Sequence, residues 1–134
     1  MRVVLASDRN GLDYKLRLIS HLQKNGYEPV DVGTYNNVPC DTPVFAAKAA
    51  RLVASGDCKY GVLLCATGTG MIMAANKIKG ILCGMGYEDV EHRVDIFLTT
   101  EFIGQHHTPR VQQIRELEEG KEIKQTPIMN PNWK

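Results

Sequence analysis

Paired cysteines, an excess of one charge and long apolar runs are all missing from this chain of 134 residues. The four cysteines, at 40, 58, 65 and 83, form neither a CxxC pair nor a zinc-like Cys/His spacing, so the sequence signatures of a disulfide framework and of a structural zinc site are both absent. Reduced thiols and no bound metal are the expectation. Sixteen Lys and Arg against fifteen Asp and Glu leave a formal charge of +1, too balanced for the electrostatic footprint of a nucleic-acid or anionic-membrane binder. No stretch approaches the ~20 apolar residues of a membrane span. The apolar start Met1 to Ala6 runs at once into Ser7, Asp8 and Arg9, without the length or flanks of a signal peptide. A cytoplasmic protein with neither a nucleic-acid nor a membrane partner is therefore expected. Internal repeats and low-complexity linkers are also lacking, and the length suits one domain over residues 1–134.

What is present is a succession of short strands and helices. Apolar runs at Val3 to Ala6, Val30 to Val32, Gly61 to Cys65 and Ile81 to Met85 are rich in Val, Ile and Leu and do not alternate strictly, the pattern of strands buried on both faces. Leu12, Leu16, Ile19 and Leu22 recur at helical spacing and Gly26 follows them, which predicts an amphipathic helix over residues 12–25. Asp41 or Thr42 can cap a second helix with Pro43 at its first position and Phe45, Ala46, Ala49, Leu52 and Val53 facing inward, as far as Gly56. A helical pattern resumes from Val90 to Phe102, breaks at a His-rich stretch, and continues through the charged run Arg110 to Lys121 before an irregular tail at Thr126 to Lys134. The order predicts an α/β protein, a three-layer Rossmann-like parallel sheet shortened to four strands, with its ligands beyond the carboxyl ends of the strands. A fourth strand uncovered along one edge would present unpaired backbone groups. An oligomer is expected for that reason.

The chemistry is concentrated in Cys65-Ala66-Thr67-Gly68-Thr69-Gly70, which follows the third strand and leads into a helix predicted over residues 71–77. Glycines admit a ligand close to the backbone, and the free amides of a first helical turn suit a phosphate, a carboxylate or an enediolate oxygen. The thiolate is the reactive form of cysteine, and nearby donors favour it. Cys65 is thus either a general base or a small apolar residue closing a strand. The loop fits a dinucleotide site poorly, because its glycines follow the wrong strand and Met73 stands where a third small residue belongs. A Walker loop is excluded by the absence of any Gly-Lys-Ser or Gly-Lys-Thr triplet. Asp8 ends the first strand at the same sheet edge, where a carboxylate can hold sugar hydroxyls or cap the next helix. His106, His107 and Arg110 make a short cationic cluster suited to a phosphate, with Arg supplying a planar donor fork.

The run Cys65-Ala66-Thr67-Gly68-Thr69-Gly70-Met71-Ile72-Met73-Ala74-Ala75-Asn76-Lys77 resembles the Cys-Gly-Thr-Gly-x-Gly-x-x-x-Ala-Ala-Asn-Lys signature of ribose-5-phosphate isomerase B, a family that includes the galactose-6-phosphate isomerase subunits. Leu5-Ala6-Ser7-Asp8, Asp31-Val32-Gly33-Thr34 and Asp41-Thr42-Pro43 add weaker matches, and Phe102 to Val111 is similar to the family's Gly-Gly-Arg-His-x-x-Arg-Val segment. The resemblance implies cofactor-free aldose-ketose isomerisation of a phosphorylated sugar through an enediolate. In that scheme Cys65 moves the proton and Thr67, with the amides of Gly68, Thr69 and Gly70, holds the oxyanion. Asp8 meets sugar hydroxyls, and Arg9, His106, His107 and Arg110 bind substrate and phosphate. It further implies a homodimer or higher oligomer, or a heteromer with a related chain, in which residues 108–134 pack on the partner. The family's Arg-x-His-Asn segment, to which ring opening is assigned, has no match: Met85 to Asp89 runs directly into the helix at Val90. Arg9 stands where the family commonly has His, Thr42 where it has Tyr, and His106 where it has Arg. The alternative function is a non-catalytic sugar-phosphate-binding or interaction subunit of the same fold.

Overall fold

The computed structural model describes residues 1–84, 86, 89–105 and 107–125. Its secondary structure begins with β1 (Arg2–Ser7), α1 (Leu12–Lys24), β2 (Glu28–Asp31), α2 (Thr42–Ala54), β3 (Tyr60–Leu64), α3 (Thr69–Ala75) and α4 (Val90–Thr99). These elements make up one compact unit, Met1–Thr99, and α5 (His107–Glu118) belongs to a second, Thr100–Lys134. Among the described residues no helix is long and apolar enough to cross a membrane.

β1 is the middle of a parallel sheet of order β2-β1-β3. It is buried from Val3 to Ser7, because helices cover both of its faces and a strand flanks each edge. On one face Val3 and Leu5 pack with Leu18 and Leu22 of α1 and with Val94 and Leu98 of α4. On the other, Val4 and Ala6 meet Ala49 of α2 and Cys58. Fully buried leucines of this kind contribute about 1.5–3 kcal/mol each relative to exposure. Gly61 lets α2 come close: a Cβ there would lie 3.2 Å from Val4 Cγ1 and 3.3 Å from Val53 Cγ2. The result is the three-layer α/β arrangement that the periodicity predicts.

Two expectations need correction. The buried stripe of α1 is Leu12, Lys15, Leu18 and Leu22, whereas Leu16 is about half exposed. A lysine takes the inward position because its Nζ finds a carboxylate and a carbonyl there, and its methylene stem packs like an apolar side chain. The fourth strand read at Ile81 to Met85 is not part of the sheet: residues 81–84 are irregular, and Met85 lies outside the described residues. Gly80, with φ of 87°, turns the chain after α3, and the Asn76 side chain occupies both backbone groups of Cys83. Among the described residues the sheet therefore has three strands, and β3 pairs on one side only.

The helix predicted over 90–102 runs over 90–99 and docks on α1. Arg17 Nη2 reaches Glu91 Oε1 at 3.4 Å, and His21 Nε2 meets Asp95 Oδ1 at 2.8 Å. One helical turn separates the two contacts on each helix, so α1 and α4 run in the same sense. The Phe97 ring meets Tyr60 of β3 edge-on with centroids 5.0 Å apart. His92 and Arg93 stay on the exposed face. In the second unit, α5 is followed by a return of the chain in which Gln113 Nε2 donates to the Lys124 carbonyl at 2.7 Å. The irregular tail read at Thr126 to Lys134 lies outside the described residues.

Candidate functional site

Parallel register sets the geometry. Ser7 is paired with Leu64 at the last rung of β1 and β3, and the Asp8 amide continues the ladder by donating to the Leu64 carbonyl at 3.1 Å. Asp8 and Cys65 thus emerge side by side at the carboxyl edge of the sheet. The turn between β1 and α1 is built by Asp8 itself. Its Oδ1 accepts the amides of Asn10 at 2.8 Å and Gly11 at 3.0 Å, and its Oδ2 accepts Asn10 Nδ2 at 3.3 Å. Asp8 does not cap α1, whose N-cap is Gly11 without a side-chain cap bond; its carboxylate is engaged by the turn that precedes the helix instead. Three of the roughly four lone-pair positions of a carboxylate are filled this way, and one stays open. Gly11 seals the turn against β3: a Cβ there would lie 2.5 Å from the Leu64 carbonyl oxygen.

Cys65 is partly buried. Its Sγ accepts the Gly68 amide at 2.8 Å, so the loop folds back over the sulfur. Gly68 adopts φ of 81°, a conformation that suits glycine far better than other residues, and this turn aims its N–H at Sγ. Helix α3 starts at Thr69, two residues earlier than the periodicity predicts. Thr67 Oγ1 donates to Thr69 Oγ1 at 3.3 Å and accepts the Thr69 amide at 3.4 Å, which fixes the exposed Thr67 hydroxyl over the loop. Gly70 faces α2, where its added Cβ would lie 3.5 Å from Thr42 Cγ2. Thr42, the position where the resembling family has Tyr, borders the loop directly.

The structure thus brings Asp8, Arg9, Cys65, Thr67, Gly68, Thr69 and Gly70 to one sheet edge, with Arg9 exposed in the turn. His107 and Arg110 belong to the first turn of α5 in the second unit, where Arg110 is exposed. His106 lies outside the described residues. The remaining thiols differ from Cys65. Cys58 is in the core and burial pushes it up from the ordinary thiol value, opposed by Arg2. Burial raises Cys83 likewise. Among the described residues no three His, Cys, Asp or Glu side chains form a group that could hold a metal.

Sequence reasoning passed over three residues near this edge. Lys15 is fully buried, with Nζ 2.6 Å from Asp31 Oδ1 and 2.5 Å from the Thr34 carbonyl. Its spacing from Leu12 and Leu18 carried the signal, since a lysine on an apolar stripe needs a partner. Asn76 clamps Cys83, and nothing in local spacing announces that contact. The buried hydroxyl of Ser7, at the end of β1, has no hydrogen-bond partner among the described residues.

Comparison with known proteins agrees with this architecture. The sequence profile described as Ribose/Galactose Isomerase matches residues 3–91. Ribose-5-phosphate isomerase B of Escherichia coli is 28% identical over 144 residues, covering 88% of this chain and 97% of the relative. A galactose-6-phosphate isomerase subunit of Clostridium acetobutylicum is 40% identical over 60% of this chain and 47% of its own length. Among solved structures, ribose-5-phosphate isomerase B of Clostridium thermocellum superposes with a TM-score of 0.84 at 33% identity, covering 90% of this chain and 99% of that one. The Mycoplasma genitalium enzyme, solved with bound ribulose-5-phosphate, gives a TM-score of 0.81 at 29% identity, covering 88% and 96%.

Proposed function

This chain belongs to the ribose/galactose isomerase family, and from that premise we propose that it is an aldose-ketose isomerase of a phosphorylated sugar, with Cys65 as the group that moves the proton. The observation that carries the reading is the Cys65 sulfur held beneath a glycine loop by the Gly68 amide, beside Asp8. Abstraction of the C2 proton of an open-chain aldose phosphate by the thiolate sends the C–H electron pair into the C1–C2 bond and the carbonyl pair onto the C1 oxygen. The loop amides and the Thr67 hydroxyl stabilise that oxyanion. Transfer of the C2 hydroxyl proton to the C1 oxyanion, with return of the thiol proton to C1, yields the ketose with its C2 carbonyl and C1 hydroxyl and regenerates the thiolate. Asp8 meets a sugar hydroxyl with its remaining lone pair and Arg9 binds substrate beside it, while His106, His107 and Arg110 are read as holding the phosphate in the site of a neighbouring chain.

The reading includes a dimer or larger oligomer, because β3 leaves one edge unpaired among the described residues and the second unit can complete a neighbour's site. Sedimentation of the purified chain alone, and with a related chain, separates homo-oligomer from heteromer. The reading also takes the family segment assigned to ring opening to be without a match in this chain. Turnover then draws on the open-chain sugar, with a rate lower by the 10²- to 10⁴-fold that a positioned acid or base commonly contributes.

The test is exchange of the C2 proton of ribose 5-phosphate and galactose 6-phosphate with deuterated solvent, followed by NMR. Wild-type exchange that disappears in Cys65→Ala supports the isomerase. Equal rates in the two proteins, together with a thermal shift on adding either phosphate, would instead identify a binding subunit of the same fold; the heavy use of Asp8 by its own turn favours that second reading.

A further inference from the structure

The fully buried lysine is the feature that the isomerase reading leaves without a role. Lys15 projects from α1 with no side-chain exposure. Taking an ammonium out of water is expensive unless it is paired and hydrogen-bonded, and a leucine or methionine would fill the same helix stripe without that cost. Its bonds show what the charge holds. Nζ donates to Asp31 Oδ1, at the end of β2, and to the Thr34 carbonyl, three residues further on. Asp31 Oδ1 also accepts the Gly33 amide at 2.9 Å, and the Tyr35 hydroxyl donates to the Asp31 carbonyl at 3.0 Å, with the ring centroid 5.1 Å from Nζ. One ammonium therefore fixes the whole turn 31–35.

That turn is bonded directly to the end of the central strand. The Ser7 amide donates to the Gly33 carbonyl at 2.7 Å, and the Thr34 amide donates to the Ser7 carbonyl at 2.8 Å. The next residue, Asp8, is bonded on the opposite side to Leu64, which precedes Cys65. Ser7 and Asp8 are thus gripped between a turn that Lys15 holds and a strand end that carries the thiol. We propose that Lys15 is a positioning residue of the sugar-phosphate site: by fixing the 33–34 backbone against Ser7 it sets where Asp8 stands relative to Cys65. The proposal rests on the isomerase reading for its kinetic consequence and on the bonds alone for its structural one.

Two variants of the full chain test it. Lys15→Met keeps the length and removes the charge; Lys15→Met with Asp31→Asn also removes the unpaired carboxylate while keeping an acceptor for the Gly33 amide. In both, amide hydrogen exchange at Ser7, Asp8 and Thr34 is expected to accelerate at least tenfold while Val4 and Leu5 keep wild-type protection, and KM for ribose 5-phosphate is expected to rise at least fivefold. The double variant regains thermal stability without regaining KM, because Thr34 still lacks its donor. A role confined to stability predicts the reverse: wild-type KM, and kcat lowered only by the unfolded fraction. That result overturns the proposal, as does exchange that is unchanged at Asp8 and Thr34 or accelerated equally at Val4 and Leu5. If the wild type turns over no sugar phosphate, the isomerase reading falls and the exchange data alone decide the role of Lys15.

Discussion

The side chain of Asn76 treats Cys83 as a neighbouring strand would. Nδ2 donates to the Cys83 carbonyl at 2.9 Å and Oδ1 accepts the Cys83 amide at 2.8 Å, while Nδ2 also reaches the Ile72 carbonyl at 3.0 Å. The segment after α3 is thereby fixed to the helix that carries the glycine loop, without joining the sheet.

Asn76→Ala is expected to release this segment at a cost of about 1 kcal/mol, since net contributions of single hydrogen bonds are small and these lie near the surface. Urea unfolding measures the loss, and faster reaction of Cys83 with a thiol reagent reports the opening. An unchanged Cys83 rate would show that the clamp does not hold the segment.

Gly11→Ala puts a methyl group into the Leu64 carbonyl. Relief requires the β1–α1 turn to move from the end of β3, which carries Cys65. Overpacking of this kind costs about 1–3 kcal/mol, and C2-proton exchange should fall further than the folded fraction alone explains. Denaturant titration beside the exchange assay at one temperature checks both effects.

Stability should decline in alkaline solution through Cys58. Burial is the largest cause of its raised value, Arg2 opposes it, and Asp57 and Glu28 add to it. The unfolded chain then gives up this proton at lower pH than the folded one, so the stabilisation is complete below the ordinary thiol value of 9.0 and is lost as pH rises through the folded one. Cys58→Ala should lower stability at neutral pH and flatten its dependence on alkaline pH. Parallel slopes for the two proteins, measured as urea midpoints, would contradict this.

If Arg110 grips the phosphate, Arg110→Ala should raise KM for the phosphorylated sugar roughly ten- to a hundredfold, the loss of one charge-assisted hydrogen bond worth about 1.5–3 kcal/mol. Weak activity on the unphosphorylated sugar should be untouched. Equal effects on both sugars would place the arginine elsewhere in the reaction.

Much of this arrangement is readable in one dimension. Val3 to Ala6, the Pro43 helix start and the glycine loop each follow from local chemistry: β-rich apolar runs, a proline with fixed φ, and glycines that permit turns. The loop residues could be nominated because their order along the chain is itself the loop. Leu16 was misplaced because a period of 3.6 leaves two neighbouring stripes available on α1, and the choice between them was made by Asp31 and Thr34, sixteen and nineteen residues away. Ile81 to Met85 reads as a strand for its composition, yet strand formation needs a partner edge, and Asn76 took the backbone groups of Cys83 instead.

Local pattern by itself determined the three-layer class and the parallel β1 and β3 with their glycine turn, and it nominated Cys65 as a candidate, since propensity and spacing act within a few residues. Only tertiary structure decided that the sheet has three strands among the described residues, that Asp8 spends most of its carboxylate on its own turn, and that a buried lysine braces the end of β2. Each of those outcomes depends on hydrogen-bond partners brought together by folding, and burial forces polar groups to find them.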